Sequence, residues 1–181
     1  MKLYIKELAK DFNVGAITST SYPVVKKLTE KINFNNAEII VEYGPGNGVI
    51  TRILLDNMKV DAVLYVFETN KDFINNLNEI KDKRLVIINE DAENAKHILK
   101  NKYQIESVNY IISTIPFTFI EKHKRRRIIS KSFSLLKVNG RFITYQYSLL
   151  IFNLIKRKFK NAKWKFVLLN LPPAIIIDGI K

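Results

Sequence analysis

The 181-residue sequence contains no cysteine, which excludes a disulfide framework and any thiolate-held metal. It lacks a run approaching the ~18 apolar residues of a membrane-spanning helix: the longest candidates, from Leu149 to Ile155 and from Ala174 to Ile177, are short, and Asn153 interrupts the first. Its start, Met1-Lys2-Leu3-Tyr4-Ile5-Lys6-Glu7, has no continuous apolar core of the kind a secretory signal needs. The expectation is a cytoplasmic protein, soluble or peripherally attached to a membrane. The two histidines, His97 and His123, lack the companions a metal site requires, so both read as surface residues and no metal is expected. Acidic residues are nearly missing from the last third: residues 1–120 carry 15 Lys and Arg against 15 Asp and Glu, whereas residues 121–181 carry 15 Lys and Arg against Glu121 and Asp178 alone. The whole net charge of +13 therefore lies in that third. Such an asymmetry suits a polyanionic partner, nucleic acid or an anionic lipid surface, alongside the plainer reading of a solubilising face.

What is present is a repeated alternation of short β-branched runs with longer segments of helical period, the pattern of βαβ units around a parallel sheet. Strands are expected at 39–42, 63–68, 85–89, 110–113 and 142–147. Helices are expected near 49–57, 71–78, 92–100 and 120–136, the last stopped by Asn139-Gly140. A helix from Leu149 to about Lys158, a strand over 165–169, the break Leu171-Pro172-Pro173 and a strand over 174–177 then close the chain as an antiparallel hairpin at the sheet edge. No linker divides it, so 1–181 is one domain: a core over 36–181 behind an amphipathic helical cap over 1–35. In that cap Met1, Ile5, Leu8 and Phe12 share one helical face and Lys2, Lys6 and Lys10 another, a pattern that fits packing over the core, contact with a membrane, or both.

Glycine is scarce, six in all, yet three fall in the five residues Gly44-Pro45-Gly46-Asn47-Gly48, between the strand ending at Glu42 and the helix beginning at Val49. Glycines there let the backbone turn tightly and let a ligand approach main-chain N–H groups near a helix N-terminus. This spacing, led by an acidic residue, resembles motif I of the class I S-adenosylmethionine-dependent methyltransferases rather than the dinucleotide fingerprint Gly-x-Gly-x-x-Gly. The resemblance implies a Rossmann-like α/β fold: a mostly parallel seven-stranded sheet with an antiparallel last strand and helices on both faces. It implies S-adenosylmethionine as cofactor, with Gly44, Gly46 and Gly48 forming the loop and Glu42 positioning its amino-acid part. Glu68, 26 residues after Glu42 at the end of the second strand, falls where the family binds the ribose hydroxyls. Asp91-Ala92 falls where the family contacts the adenine amino group, with Glu90 as an alternative ligand and helix capping as a competing role for Asp91.

Several stretches are further similar to the bacterial phospholipid N-methyltransferases, which methylate phosphatidylethanolamine: Val14-Gly15-Ala16-Ile17 with Ser19 and Ser21, the glycine loop, Ser113 to Phe117, Gly140-Arg141-Phe142 leading to Tyr145-Gln146-Tyr147, and Asn170-Leu171-Pro172-Pro173-Ala174. The competing resemblance is to the ribosomal RNA adenine dimethylases, whose fourth-strand motif is Asn-(Leu/Ile)-Pro-(Tyr/Phe). Here the matching residues are Thr114-Ile115-Pro116-Phe117, and a hydroxyl cannot offer a base the paired donor and acceptor of a carboxamide. Those dimethylases also carry a separate helical domain, which a chain of this length is not expected to hold; a catalytically silent cofactor- or RNA-binding module is the third reading.

Ser113, Thr114 and Pro116 are the candidate catalytic residues at the end of the fourth strand. Among Tyr4, Tyr22, Tyr145 and Tyr147, strand alternation puts Tyr145 and Tyr147 on one face and Gln146 on the other. Tyr147 is favoured to orient the acceptor amine. Segments 122–127 and 156–166, the second interleaving cations with aromatics, and helix 1–12 are the expected contacts with an anionic membrane; the same composition would suit RNA.

Overall fold

Apolar runs with little alternation form the parallel strands of the sheet, and the central ones, Ile39–Tyr43, Val63–Glu68 and Val108–Ser113, are the most deeply buried, as parallel strands covered on both faces require. The computed structural model of the chain describes residues 22–168 and 173–181; the expected basic helix over 1–12, residues 14–21 and the 170–172 part of the Leu-Pro-Pro-Ala ending lie outside the described residues. Strands β1 (Ile39–Tyr43), β2 (Val63–Glu68), β3 (Leu85–Asn89), β4 (Val108–Ser113) and β5 (Leu136–Gln146) pair in parallel. Strands β6 (Lys160–Val167) and β7 (Ala174–Ile180) are antiparallel to each other, and β7 is antiparallel to β5. The sheet order is β3-β2-β1-β4-β5-β7-β6. Edge strand β6 therefore runs in the direction of β5.

Among the described residues, three α-helices pack on each face. On one lie α1 (Tyr22–Thr29), α2 (Val49–Asn57) and α3 (Lys71–Asn78), burying Leu28, Leu54 and Leu77. On the other lie α4 (Ala95–Tyr103), α5 (Lys122–Leu135) and α6 (Phe152–Lys158), burying Leu99, Ile128 and Ile155. This is the expected Rossmann-like architecture, and α1 falls within the 1–35 stretch expected to form a cap.

The boundaries differ from expectation at instructive places. Helix α5 ends at Leu135 and the chain enters β5 directly. Asn139-Gly140 is not the turn after the helix; it lies in a bulge of β5, where the register shifts between the pairs Val108↔Leu136 and Tyr110↔Arg141 and Asn139 adopts φ 64°. Asparagine tolerates that left-handed backbone, in a bulge as much as at a helix end. The helix expected from 92 begins as a 3₁₀ turn, Ala92–Asn94, before α4. The strand expected over 165–169 starts at Lys160, so segment 156–166 is a helix end followed by an edge strand. In β6 Trp164 and Phe166 pair with Ile177 and Ile175 on the α6 side of the sheet, while Lys163 and Lys165 pair with Asp178 and Ile176 on the α1 side.

Candidate functional site

The strand order reverses between β1 and β4, and in open parallel sheets this is where a crevice opens beyond the carboxyl ends of the strands. A cavity of about 730 Å³ lies there, lined by the segments following β1 to β5, a size typical of small-molecule sites. The glycine loop forms one wall. Gly44, Gly46 and Gly48 have φ of 68°, 55° and 76°, values that side chains adopt only with strain. The backbone ladder continues past the strand ends, with Gly44 N–H donating to the Phe67 carbonyl (2.9 Å) and Thr114 N–H to that of Tyr43 (3.0 Å). Arg52 and Asn76 brace the loop from behind at Asn47 (2.9 and 3.2 Å).

Two carboxyl groups stand at the loop in different surroundings. Glu68 lines the cavity; its Oε2 accepts from Gly46 N–H (3.2 Å) and its Oε1 from the N–H groups of Thr69 (2.7 Å) and Asn70 (2.9 Å). Glu42 lies below the loop, fully buried and outside the cavity lining. Its Oε2 accepts from the Thr51 hydroxyl (2.7 Å), and Oε1 has no partner among the described residues. Burial pushes the Glu42 carboxyl up to about 8, against the Thr51 hydrogen bond and with help from the nearby Glu68 charge. An orphaned buried carboxyl oxygen under an open glycine loop suits the ammonium end of S-adenosylmethionine, and the Glu68 oxygens at the cavity suit its ribose. Phe67, Phe73, Ala92 and Ile115 give the cavity an apolar wall of the kind that suits an adenine ring. The residues present fit that cofactor.

Asp91 and Ala92 also line the cavity, as does Glu90. Asp91 caps the 3₁₀ turn through Glu93 N–H (2.8 Å), and its other oxygen pairs with Lys124 (2.5 Å). Capping and a place at the cavity, weighed as rivals in the sequence, coexist in one side chain.

The opposite wall is the segment after β4 together with the end of β5. Thr114 and Pro116 line it, whereas Ser113 is fully buried, outside the lining, with its hydroxyl lacking a partner among the described residues. The Thr114 hydroxyl donates to the carbonyl oxygens of Gly44 and Tyr43 and so ties this wall to the glycine loop. Strand β5 ends at Gln146, one residue earlier than expected, and Tyr147 lies just beyond, half exposed at the cavity with its ring edge-on to Tyr145 at 6.1 Å. Tyr22 begins α1, and Tyr4 is outside the described residues.

Three participants escaped the sequence reading. Gln146 is buried and bonded to the 115–117 backbone. Lys124, read as part of a surface cluster, reaches into the cavity, and Thr51 holds Glu42. The basic run 122–127 is partly spent inside the protein. Besides Lys124, Arg127 binds Glu93 at 2.7 Å, and its guanidinium holds the Glu93 carboxyl below its ordinary range. His97 and His123 are exposed, and no group of three metal-ligating side chains occurs among the described residues.

This geometry has known counterparts. The family model described as ribosomal RNA adenine dimethylase matches residues 17–153. An ornithine lipid N-methyltransferase of Singulisphaera acidiphila is 27% identical over 96% of this chain and 94% of its own. Ribosomal RNA small subunit methyltransferase A of Mycoplasmopsis pulmonis is 35% identical, over 56% of this chain and 40% of its own. Among solved structures, an rRNA methylase from Streptococcus thermophilus superposes with a TM-score of 0.66 at 19% identity, covering 92% of this chain and 99% of that one, a likeness of fold. The chain belongs to the ribosomal RNA adenine dimethylase family and is a class I S-adenosylmethionine-dependent methyltransferase.

Proposed function

We propose that this enzyme methylates the headgroup amine of a membrane lipid, with phosphatidylethanolamine and its partly methylated forms as acceptors, as a cytoplasmic protein bound peripherally to an anionic membrane. The observation that carries this reading is the apolar rim of the cavity. Phe119 and Tyr147 line the cavity and are 88% and 56% exposed. Outside the lining itself, Leu149 and Leu150 follow β5 where it ends at the cavity, and Phe166 near the end of β6 and Leu168 just after it lie at the same edge of the sheet; all four are exposed. Large apolar side chains left bare at one edge suit lipid tails and headgroup-depth contact. Three further features favour the same reading: the Thr114 hydroxyl is engaged by the glycine loop, Lys124 and Arg127 are held by Asp91 and Glu93, and the relative covering 96% of the chain is named for a lipid substrate. Among the described residues no helix is long and apolar enough to cross a membrane.

S-adenosylmethionine, held by the glycine-loop wall, would supply a sulfonium methyl group to an unprotonated amine, leaving S-adenosylhomocysteine and one proton to be lost from the methylated amine. The protein's task is then positioning and partial desolvation rather than strong base catalysis. Glu42, the glycine loop, Glu68 and Asp91-Ala92 would hold the donor. Tyr147 would orient the amine over Pro116, with Ser113 and Thr114 supporting that wall from below.

The test is incubation with radiolabelled S-adenosylmethionine and phosphatidylethanolamine vesicles, ornithine lipid vesicles or ribosomal RNA, followed by phase extraction. Label in the phosphatidylethanolamine fraction is expected. Label confined to ornithine lipid would keep the lipid amine and replace the acceptor, and label confined to RNA would sink the lipid reading.

A further inference from the structure

We propose that Gln146 is the positioning residue that sets the acceptor wall of the cavity, an inference that rests on the segment after β4 being the acceptor side. Gln146 is 4% exposed, and its carboxamide is fully engaged. Its Oε1 accepts from Phe117 N–H (3.2 Å), and its Nε2 donates to the Ile115 carbonyl (2.9 Å) and to the Thr144 hydroxyl (2.9 Å). Both amide hydrogens are thereby spent, so the side chain acts through the loop it grips rather than on a ligand.

That grip is placed to matter. Ile115 and Phe117 flank Pro116, and the next residues, Thr118 and exposed Phe119, line the cavity and form its rim. On the other side the loop is hydrogen-bonded to the glycine-loop wall through Thr114, whose backbone N–H reaches the Tyr43 carbonyl and whose hydroxyl reaches those of Tyr43 and Gly44, and Ile115 packs against Gly44 beside it. Thr114 fixes the loop to the donor side and Gln146 fixes it to β5, where Tyr147 follows. The carboxamide thus sets the spacing between Pro116 and Tyr147. Thr144, fully buried and outside the cavity lining, orients the carboxamide. A misplacement of about 1 Å in such a wall can cost on the order of a hundredfold in rate.

The test uses Gln146→Met, which keeps the volume and removes all three bonds, Gln146→Glu, which keeps an acceptor for Phe117 N–H, and Thr144→Val. All are assayed with whichever acceptor the wild type methylates, lipid or RNA, so failure of the lipid reading leaves the outcome intact. Gln146→Met is expected to lower kcat/KM for the acceptor by about tenfold to a hundredfold, with S-adenosylmethionine Kd within about twofold of wild type by the error of additive, uncoupled sites. Gln146→Glu should fall between. Thr144→Val should lower acceptor kcat/KM in the wild type and add nothing in the Gln146→Met background. Equal loss of donor affinity and acceptor kcat/KM, or additive effects of Thr144→Val and Gln146→Met, would overturn the proposal. Should Gln146→Met fail to fold, an unchanged acceptor kcat/KM in Thr144→Val does the same.

Discussion

At the scale of the residue, Glu42 is a carboxyl group held in its neutral form by burial. Its pKa stands at about 8 in the fold against an ordinary 4.5, so the native state keeps a proton that the unfolded chain releases. The stabilisation from this difference is fully present below pH 4.5 and is lost as the pH rises through 8. The melting temperature of the cofactor-free protein should therefore fall across that window, and Glu42→Gln should flatten the fall. Asp178, raised by burial in the same direction despite Arg141 and Lys31, leaves a residual slope. Scanning fluorimetry from pH 5 to 8.5 measures the slope; an unchanged one removes Glu42 as its source. In the same variant S-adenosylmethionine should bind about tenfold more weakly, the ~1.5 kcal/mol of one hydrogen bond to a charged group. Glu68→Ala strips the acceptor from three backbone N–H groups and, under the proposed assignment, from the ribose. By calorimetric titration its affinity should drop by more than tenfold, and a variant binding as well as wild type would defeat the ribose assignment. Glu42, Glu68 and the glycines were legible because a strand end and a glycine loop are local signals. Gln146, Lys124 and Thr51 were not, because each acts on a residue that only folding brings near: Phe117 is 29 positions from Gln146 and Asp91 is 33 from Lys124.

At the scale of the element, the bulge in β5 shows where local signals fail. A Cβ on Gly140 would lie 2.9 Å from the carbonyl oxygens of Asn109 and Lys137, both backbone atoms that cannot swing away. Asn109 also receives the Glu38 and Ile39 N–H groups through its side chain (3.1 and 2.9 Å), tying the start of β1 to β4. Gly140→Ala should thus destabilise the protein by about 1–3 kcal/mol, as overpacking does, lowering the melting temperature by several degrees at roughly 2–4 °C per kcal/mol. Asn139→Gly, which relaxes a backbone already at φ 64°, should change it little. A tolerated Gly140→Ala would mean that the bulge shifts freely. The seven strands and the helices between them are legible in the sequence because buried strands and amphipathic helices advertise their periods. Asn139-Gly140 looks like a helix stop because one dipeptide serves either a cap or a bulge. The start of β6 is hidden because an edge strand carrying Lys160, Lys163 and Lys165 shows no apolar alternation.

At the scale of the whole molecule, charge and apolar surface meet near one edge of the sheet, and their contributions to the proposed membrane binding would be separable by salt. The last third holds the entire +13, and in β6 the lysines and the aromatic pair Trp164 and Phe166 occupy opposite faces of one strand. Edge-strand lysines also block edge-to-edge pairing, so their presence alone does not establish a membrane role. Reversing their sign does separate the two, because glutamates block pairing equally well. Lys160→Glu/Lys163→Glu/Lys165→Glu should stay monodisperse to the same degree as wild type yet bind anionic vesicles far more weakly, at about 1 kcal/mol per cation near the surface. That loss should shrink as salt shortens the screening length from ~10 Å at 0.1 M to ~3 Å at 1 M. Phe166→Ser/Leu168→Ser removes apolar rim instead, and its deficit should persist at 1 M salt, since burial of apolar surface is not screened. Co-sedimentation with vesicles of phosphatidylglycerol and phosphatidylethanolamine reads both series. If the triple-charge variant loses RNA binding in a gel shift while sedimenting with vesicles as wild type does, the basic third serves a nucleic acid, and the apolar rim must be explained in another way.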